Sequence, residues 1–193
     1  MPPIAERTLR ADAQRNRDRL LEVAAHAFAA GGDVTLEAIA REAGVGIGTL
    51  YRHFPTREAL VEAAYRNELA RLCDAAAELL AANAPEQALR LWMDRFVDYT
   101  TTKRGMKDAL RAVVASGGNP FAHTRDLLVE ALDLLLRAGA EAGTLRPDAD
   151  ATDLLTGLSG VSLAAGEPAQ RAQAGRLLDL LVDGLRFGTR PST

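Results

Sequence analysis

The chain has 193 residues, of which 48% are hydrophobic and 25% charged, a balance that is typical of a globular protein and argues against disorder. The net charge of -3 excludes DNA binding by bulk charge, so any such function depends on a local basic surface. The single cysteine, Cys73, excludes an intrachain disulfide. Alanine and leucine dominate and β-branched residues are few, which predicts helix throughout.

Several classes of protein are disfavoured by missing patterns. No apolar run reaches the roughly 18–20 residues of a membrane span, and the first residues lack the apolar core of a signal peptide. We therefore expect a cytoplasmic protein with no membrane partner. The sequence also has no Ser-His-Asp, phosphate-loop or Cys/His zinc pattern. We expect no catalytic residue, no metal, no cofactor and no enzymatic activity.

The first predicted helix is amphipathic and ends at Gly31 and Gly32. Its apolar residues recur at i, i+3, i+4, i+7 and i+8: Leu20, Val23, Ala24, Ala27 and Phe28. The arginines that precede and adjoin this stripe are Arg7, Arg10, Arg15, Arg17 and Arg19. They indicate either a flexible basic arm that reaches DNA phosphates or the minor groove, or an ordinary solvated helix face. Both interpretations stay open from the sequence.

Two shorter helices follow, joined by a tight turn. Thr35 is the predicted N-cap of a helix that ends at Gly44. The next helix runs from about Ile47 to Phe54. Ala40 is small where the two backbones cross, Gly44 allows the positive φ of the turn, and Leu50 is the apolar anchor. This spacing predicts a helix-turn-helix.

The second of these helices is predicted to offer a polar face for the DNA major groove. Leu50 and Phe54 are expected to point inward. The remaining side chains face outward and are Ile47, Thr49, Arg52 and His53, with Tyr51 at the edge. A major groove about 12 Å wide admits such a helix. Because Gly46 and Gly48 carry no side chain, backbone N–H groups there could approach a phosphate.

The rest of the chain is predicted to form further helices, about nine in all. Their predicted starts are Arg57, Pro85, Met106, Asn119, Asp150 and Pro168. Residues 157–166, GLSGVSLAAG, place glycines inside a helical pattern. These glycines indicate either close approach of helices across a dimer interface or loose packing near a pocket. The sequence does not choose between the two.

The segment TLEAIAREAGVGIGTLYRHFPTREAL resembles the DNA-binding segment of the tetracycline-repressor (TetR) family of bacterial transcription regulators. The resemblance covers roughly residues 15–60 and is most specific at GTLYRHF. It implies a homodimer that binds a palindromic double-stranded DNA operator and answers to a small-molecule effector. It also implies a helical effector-sensing and dimerisation domain, with the leucine-rich last two helices as a dimer-forming pair.

The resemblance also implies which residues contact DNA. They are Thr35, Gly46, Ile47, Gly48, Thr49, Tyr51, Arg52, His53 and Arg57. Most would hold phosphates, with Tyr51 also near bases. Ile47 and Gly48 would lie over base edges, where Ile47 offers only apolar contact. Arg52 is a candidate for contact with a phosphate or a guanine. Gly46 replaces the Ser or Thr common in the family, which removes a side-chain phosphate contact.

An effector pocket is expected among the larger side chains of the C-terminal helices. The candidates are Trp92, Phe96, Tyr99, Met106 and Phe121. The spacing of 92, 96 and 99 is equally that of an ordinary helical core. His26 and His123 lack a partner at i+4 for a metal, and Cys73 lacks a second cysteine for redox sensing.

We therefore expect an all-α protein with a three-helix DNA-binding domain in residues 1–56 and a helical effector-sensing and dimerisation domain in 57–193. We expect it to act as a repressor. The alternative is a helical DNA-binding regulator that answers to a protein partner in place of a small molecule. Because no linker follows Pro55, the helix that starts at Arg57 would belong to both domains and could transmit an effector signal.

Overall fold

The computed structural model describes residues 4–32, 34–164 and 168–186. Within these ranges the protein is all α-helical, with nine α-helices and one short 3-10 helix at Pro168–Gln170. The α-helices are α1 (Ile4–Ala30), α2 (Leu36–Ala43), α3 (Ile47–His53), α4 (Arg57–Ala82), α5 (Pro85–Gly105), α6 (Lys107–Ala115), α7 (Thr124–Glu141), α8 (Ala151–Ala164) and α9 (Arg171–Leu185). None of the helices in this part of the chain is long and apolar enough to cross a membrane.

The chain packs as two compact units. The first extends to Glu68 and also contains Thr102–Ala122, and the second contains Leu69–Thr101 and the residues from His123 onward. Helix α4 begins in the first unit and ends in the second. The predicted functional boundary between residues 56 and 57 coincides with the first residue of α4 and stays a prediction.

The core of the first unit is apolar, as the amphipathic stripe of α1 predicts. Side chains from all of the first four helices are buried in it, and they include Leu21, Phe28, Ile39, Leu50, Phe54 and Leu60. Full burial of a leucine or phenylalanine contributes roughly 1.5–3 kcal/mol, so this small core is the main source of stability for the short helices. Their side chains outside it are therefore available for binding.

A glycine turn fixes the geometry between α2 and α3. Gly44 has φ +71°, the left-handed conformation in which glycine is favoured. The N–H of Val45 donates to the carbonyl of Ala40 at 2.8 Å, and that of Gly44 to Arg41 at 3.2 Å, which closes the end of α2. The predicted helix-turn-helix is thus confirmed, with α2 and α3 at the predicted positions.

The core of the second unit contains a series of three aromatic side chains on α5, of which Trp92 and Phe96 are stacked. The rings of Trp92 and Phe96 lie 5.8 Å apart, and those of Phe96 and Tyr99 lie 6.3 Å apart. Trp92 is fully buried, and its Nε1–H donates to the carbonyl of Leu72 on α4 at 2.8 Å. This bond satisfies the one polar group of the side chain, as burial requires.

An ion-pair network links α5 to α9 in the same unit. The guanidinium of Arg90 binds Asp94 on its own helix and donates to Asp179 on α9 at 2.7 Å. Arg171 at the start of α9 reaches Asp94 at 3.0 Å. Burial lowers the pKa of Arg90, but hydrogen bonding and charge from the two aspartates outweigh burial, so the pKa is raised. Arg90 therefore remains charged.

Two predicted helix starts differ from the structure. Helix α7 begins at Thr124, not at Asn119, because His123 adopts φ +59°, a conformation that does not continue an α-helix. Pro168 opens only a 3-10 turn, and α9 begins at Arg171. The arginines from Arg7 to Arg19 lie within α1, so their backbone is helical and does not form a separate extended arm.

Candidate DNA-binding surface

Helix α3 separates its side chains into one buried anchor and an exposed face. Leu50 is 0% exposed, whereas Ile47 is 39% exposed and Tyr51 44% exposed. The other exposed residues of this helix are Gly48, Thr49, Arg52 and His53. Every residue of α3 predicted to contact DNA therefore lies at the surface, and the helix contains no acidic residue.

Two exposed glycines at the beginning of α3 are not required by internal packing. A Cβ added to Gly48 would have no heavy atom within 4 Å, and one added to Gly46 would lie 3.8 Å from the Thr49 hydroxyl. Neither residue has the positive φ that favours glycine. The lack of side chains leaves room outside the protein, where another molecule can approach the backbone closely.

Thr35 is held in place by its predicted capping role. Its hydroxyl accepts a hydrogen bond from the Ala38 N–H at 3.2 Å, which identifies it as the N-cap of α2. The residue is exposed, so its hydroxyl lies at the surface beside the helix start. A phosphate contact at Thr35 stays a prediction.

Tyr51 has a partner that the sequence did not reveal. Its hydroxyl lies 3.5 Å from a carboxylate oxygen of Glu37 on α2, at the outer limit of a hydrogen bond. Residues 37 and 51 are too far apart in the chain for helical spacing to predict the contact. The pair restrains the Tyr51 ring at the edge of the exposed face.

Arg57, predicted to hold a phosphate, has internal partners. Its Nη1 donates to the carbonyl of Val34, and its guanidinium lies over the Phe28 ring at 4.8 Å. The side chain is partly buried. These contacts attach the start of α4 to α1 and to the segment before α2. The phosphate contact stays a prediction, and the structure adds a stabilising role.

Arg52 and His53 supply local positive or hydrogen-bonding groups on α3. In the described part of the chain Arg52 has no ion-pair partner, and both residues are exposed. The His53 ring lies 6.2 Å from that of Phe54. A guanidinium and an imidazole with solvent-exposed nitrogens can donate to phosphate oxygens or base edges.

The predicted effector-binding residues lie in both units. Trp92, Phe96 and Tyr99 belong to the second unit and are buried, whereas Met106 and Phe121 belong to the first. Met106 is buried, and Phe121 is partly exposed and packs edge-on against Tyr65 at 5.4 Å. The role of these five residues in effector binding stays a prediction.

A cleft of about 260 Å³ lies beside α3 in the first unit. Thr49 and His53 line it together with Asn16 and Arg17 of α1. Sequence reasoning did not single out Asn16, and it included Arg17 only as one member of an arginine cluster. Helical periodicity could have separated Arg17 from Arg15 and Arg19, because neighbours two positions away lie about 200° around the helix.

Within the described ranges, no three His, Cys, Asp or Glu side chains are grouped as metal ligands. His123 lies 3.6 Å from Asp126, and His26 contacts the carbonyl of Glu22 at 3.0 Å. Each histidine ring therefore has a contact with a nearby residue of the same chain segment.

Two family models match the chain. The one described as bacterial regulatory proteins, tetR family, matches residues 20–64. The one described as the C-terminal domain of SbtR-like transcriptional regulators matches residues 84–187. The first contains α2, α3 and the start of α4, and the second contains all of α5 to α9. Together the two matched ranges include the exposed face of α3 and most of the second unit.

Similar proteins have also been found by structure and by sequence. A TetR transcriptional regulator of Streptomyces coelicolor is 57% identical, with a TM-score of 0.86, over 90% of this chain and 99% of that chain. A TetR regulatory protein of Mycobacterium vanbaalenii is 39% identical, with a TM-score of 0.74, over 92% and 99%. A curated HTH-type transcriptional regulator of Staphylococcus aureus is 43% identical over 54 residues, which span 27% of this chain and 29% of that relative.

Proposed function

The chain belongs to the TetR family of DNA-binding transcriptional regulators, and from this premise we propose that it represses transcription by binding a palindromic operator as a homodimer. A small-molecule effector releases it from the DNA. Its DNA target places its site of action in the cytoplasm. The protein acts by binding alone and catalyses no reaction.

The observation that supports operator binding is the division of α3 into a buried anchor and an exposed face. Leu50 fixes the helix to the core, so Ile47, Thr49, Tyr51, Arg52 and His53 are presented on a rigid element. Rigid presentation avoids the entropy cost of ordering a loop on binding. The overall charge of -3 is compatible with this role because α3 itself carries no acidic residue.

Each residue of this surface has a proposed role. Gly46 and Gly48 allow the DNA to approach closely, Gly48 lies with Ile47 over base edges, and Ile47 makes apolar contact with a thymine methyl. Arg52 reads a guanine or holds a phosphate. The remaining residues position the protein on phosphates: Thr35, Thr49, Tyr51, His53 and Arg57. For Arg57 this requires donors that Val34 does not occupy, and the guanidinium has five.

Homodimer formation is proposed through α8 and α9. Leu163 on α8 is 79% exposed and Leu180 on α9 is 66% exposed. A Cβ on Gly160 would have no heavy atom within 4 Å, so internal packing does not require this glycine. Exposed leucines, together with a glycine that internal packing does not require, favour the interface interpretation over loose packing for residues 157–164. Gly166 of the same segment lies outside the described residues. Two recognition helices must then reach major grooves about 34–36 Å apart.

The effector is proposed to bind among the helices of the C-terminal domain, and the candidate residues are Trp92, Phe96 and Tyr99 on α5 and, separately, Met106 and Phe121. The three residues on α5 are closely packed, so an effector there displaces side chains as it binds. Helix α4 is continuous from Arg57 to Ala82, and a change in its position would alter the spacing of the two α3 helices. Such coupling typically amounts to about 1–3 kcal/mol.

Selection of duplexes from a random pool by the full-length protein tests the proposal. We expect enrichment of a palindrome whose half-sites are separated by one helical turn, and a protein that elutes as a dimer. Small molecules that raise the melting temperature of the protein are then tested for release of the selected duplex. Failure to enrich any sequence would contradict operator binding, whereas release only by a protein from the native cell would favour the protein-partner alternative.

A further inference from the structure

We propose that Arg17 on α1 is a positioning residue for operator binding, because it shares one cleft with Thr49 and His53 of α3 and so extends the DNA-binding surface onto α1. The inference depends on the proposed operator binding. It assigns Arg17 a sequence-independent contact with a phosphate of the duplex backbone, separate from base recognition by α3.

The geometry of the cleft supports this role. Asn16, Arg17, Thr49 and His53 supply an amide, a guanidinium, a hydroxyl and an imidazole around a space of about 260 Å³. The described residues that line it include no aspartate or glutamate. A phosphate oxygen is the kind of group that these donors recognise, and no carboxylate in the cleft repels it.

The position of the cleft favours the DNA backbone over a small ligand. Thr49 and His53 are also exposed on α3, so the same two side chains belong to the cleft and to the DNA-binding face. A duplex that contacts Thr49 and His53 on α3 therefore also lies beside the cleft. Leu20 and Phe54 form the floor of the cleft, and both are buried.

Arg17 is itself oriented by a contact with the floor. Its guanidinium carbon lies 5.9 Å from the centre of the Phe54 ring, within the range of a cation–π interaction. The contact directs an exposed cation toward α3 and reduces the entropy lost when it binds a phosphate.

The neighbouring arginines provide a matched comparison. Two residues along a helix correspond to a rotation of about 200°, so Arg15 and Arg19 face away from the side that Arg17 occupies. Neither is among the described residues that line the cleft. Of the three arginines whose side chains the structure describes, Arg17 lies beside the cleft, and Arg15 and Arg19 lie on another face of α1.

The experiment compares Arg17→Met with Arg19→Met in the full-length protein. Methionine preserves apolar contact with Phe54 while it removes the charge, and Arg17→Gln is a second neutral variant. Dissociation constants are measured by fluorescence anisotropy over a series of salt concentrations. The probes are a duplex selected by the wild-type protein from a random pool and a scrambled duplex of equal length.

We expect Arg17→Met and Arg17→Gln to weaken binding to both duplexes by the same factor, roughly tenfold. The slope of log affinity against log salt should fall by about 1 per subunit. Arg17→Lys should restore the slope, and Arg19→Met should match the wild type. Thermal melting of each variant checks that the fold is retained.

Three results would overturn the inference. Unchanged affinity and salt slope in both neutral Arg17 variants would show that no phosphate is held. An equal loss in Arg19→Met would show that only bulk charge matters. A loss confined to the selected duplex would assign Arg17 to base recognition instead. If the wild-type protein selects no duplex, the proposed function fails before the variants are compared, and the inference fails with it.

Discussion

The guanidinium of Arg57, at the start of α4, lies 4.8 Å from the ring centre of Phe28 on α1. The same side chain donates to the Val34 carbonyl. Arg57 therefore connects α4, α1 and the segment before α2, and it stabilises the unit that carries α3.

Arg57→Ala is expected to lower the free energy of unfolding by about 1–3 kcal/mol, because it removes a charge-assisted hydrogen bond and a cation–π contact. Chemical denaturation measures this value. Arg52→Ala is the control. Because Arg52 is exposed, the free energy of unfolding of this variant should change by less than about 0.5 kcal/mol, while its DNA affinity falls. Equal stability in the two variants would contradict the structural role of Arg57.

Gly48→Ala should separate stability from DNA binding. Alanine is favoured over glycine in a helix by up to about 1 kcal/mol, and no atom lies within 4 Å of the added methyl, so the melting temperature should rise or stay unchanged. DNA affinity should fall, because the methyl occupies space that the closely approaching duplex needs. Melting and anisotropy measured on the same preparation test both. Unchanged DNA affinity in Gly48→Ala would contradict a close approach of the duplex at Gly48.

Leu180→Glu should convert the dimer into a monomer. The side chain is 66% exposed, so a carboxylate there is solvated in the monomer but buried in the proposed interface. Light scattering after gel filtration measures the mass. Leu134→Glu on α7 is the matched control, since Leu134 is also exposed but lies outside α8 and α9. A Leu180→Glu dimer as tight as the wild type would place the interface elsewhere.

Gly105→Ala should destabilise the protein, in contrast to Gly48→Ala. A Cβ at Gly105 would lie 2.9 Å from the Cα of Ala29, so the end of α5 would have to move away from α1. Overpacking of this kind typically costs about 1–3 kcal/mol. Denaturant titration tests the difference between the two glycine variants, and an unchanged midpoint for Gly105→Ala would show that the two backbones separate easily.

Cys73 should react slowly with thiol reagents at neutral pH. Burial, with the charges of Asp74 and Glu130, raises the pKa of its thiol from 9.0 to about 11. A raised pKa means that the folded state binds the proton more tightly, so this contribution to stability is complete below pH 9 and is lost as pH rises through 11. Alkylation rates measured from pH 7 to 11 should increase steadily with pH. The unfolded chain in guanidinium should react faster at pH 8, and equal rates would contradict a protected thiol.

The helix-turn-helix could be predicted from the sequence because its signals are local. Thr35 as N-cap and Gly44 in the turn act through neighbours within a few residues, and Leu50 follows Gly44 at a short, recognisable spacing. The start of α7 was predicted wrongly because Asn119 and Pro120 are only permissive of a helix start. His123 has φ +59°, so the helix begins after it, at Thr124.

The sequence by itself determined the all-helical class, the helix-turn-helix and the family resemblance, because capping, helical periodicity and glycine turns depend on neighbouring residues. Only the tertiary structure decided the partners of distant side chains. Arg57 contacts Val34 and Phe28, Arg17 faces the α3 cleft, and Tyr51 lies near Glu37. These pairings arise when helices pack, since packing brings together side chains whose separation along the chain carries no periodic signal.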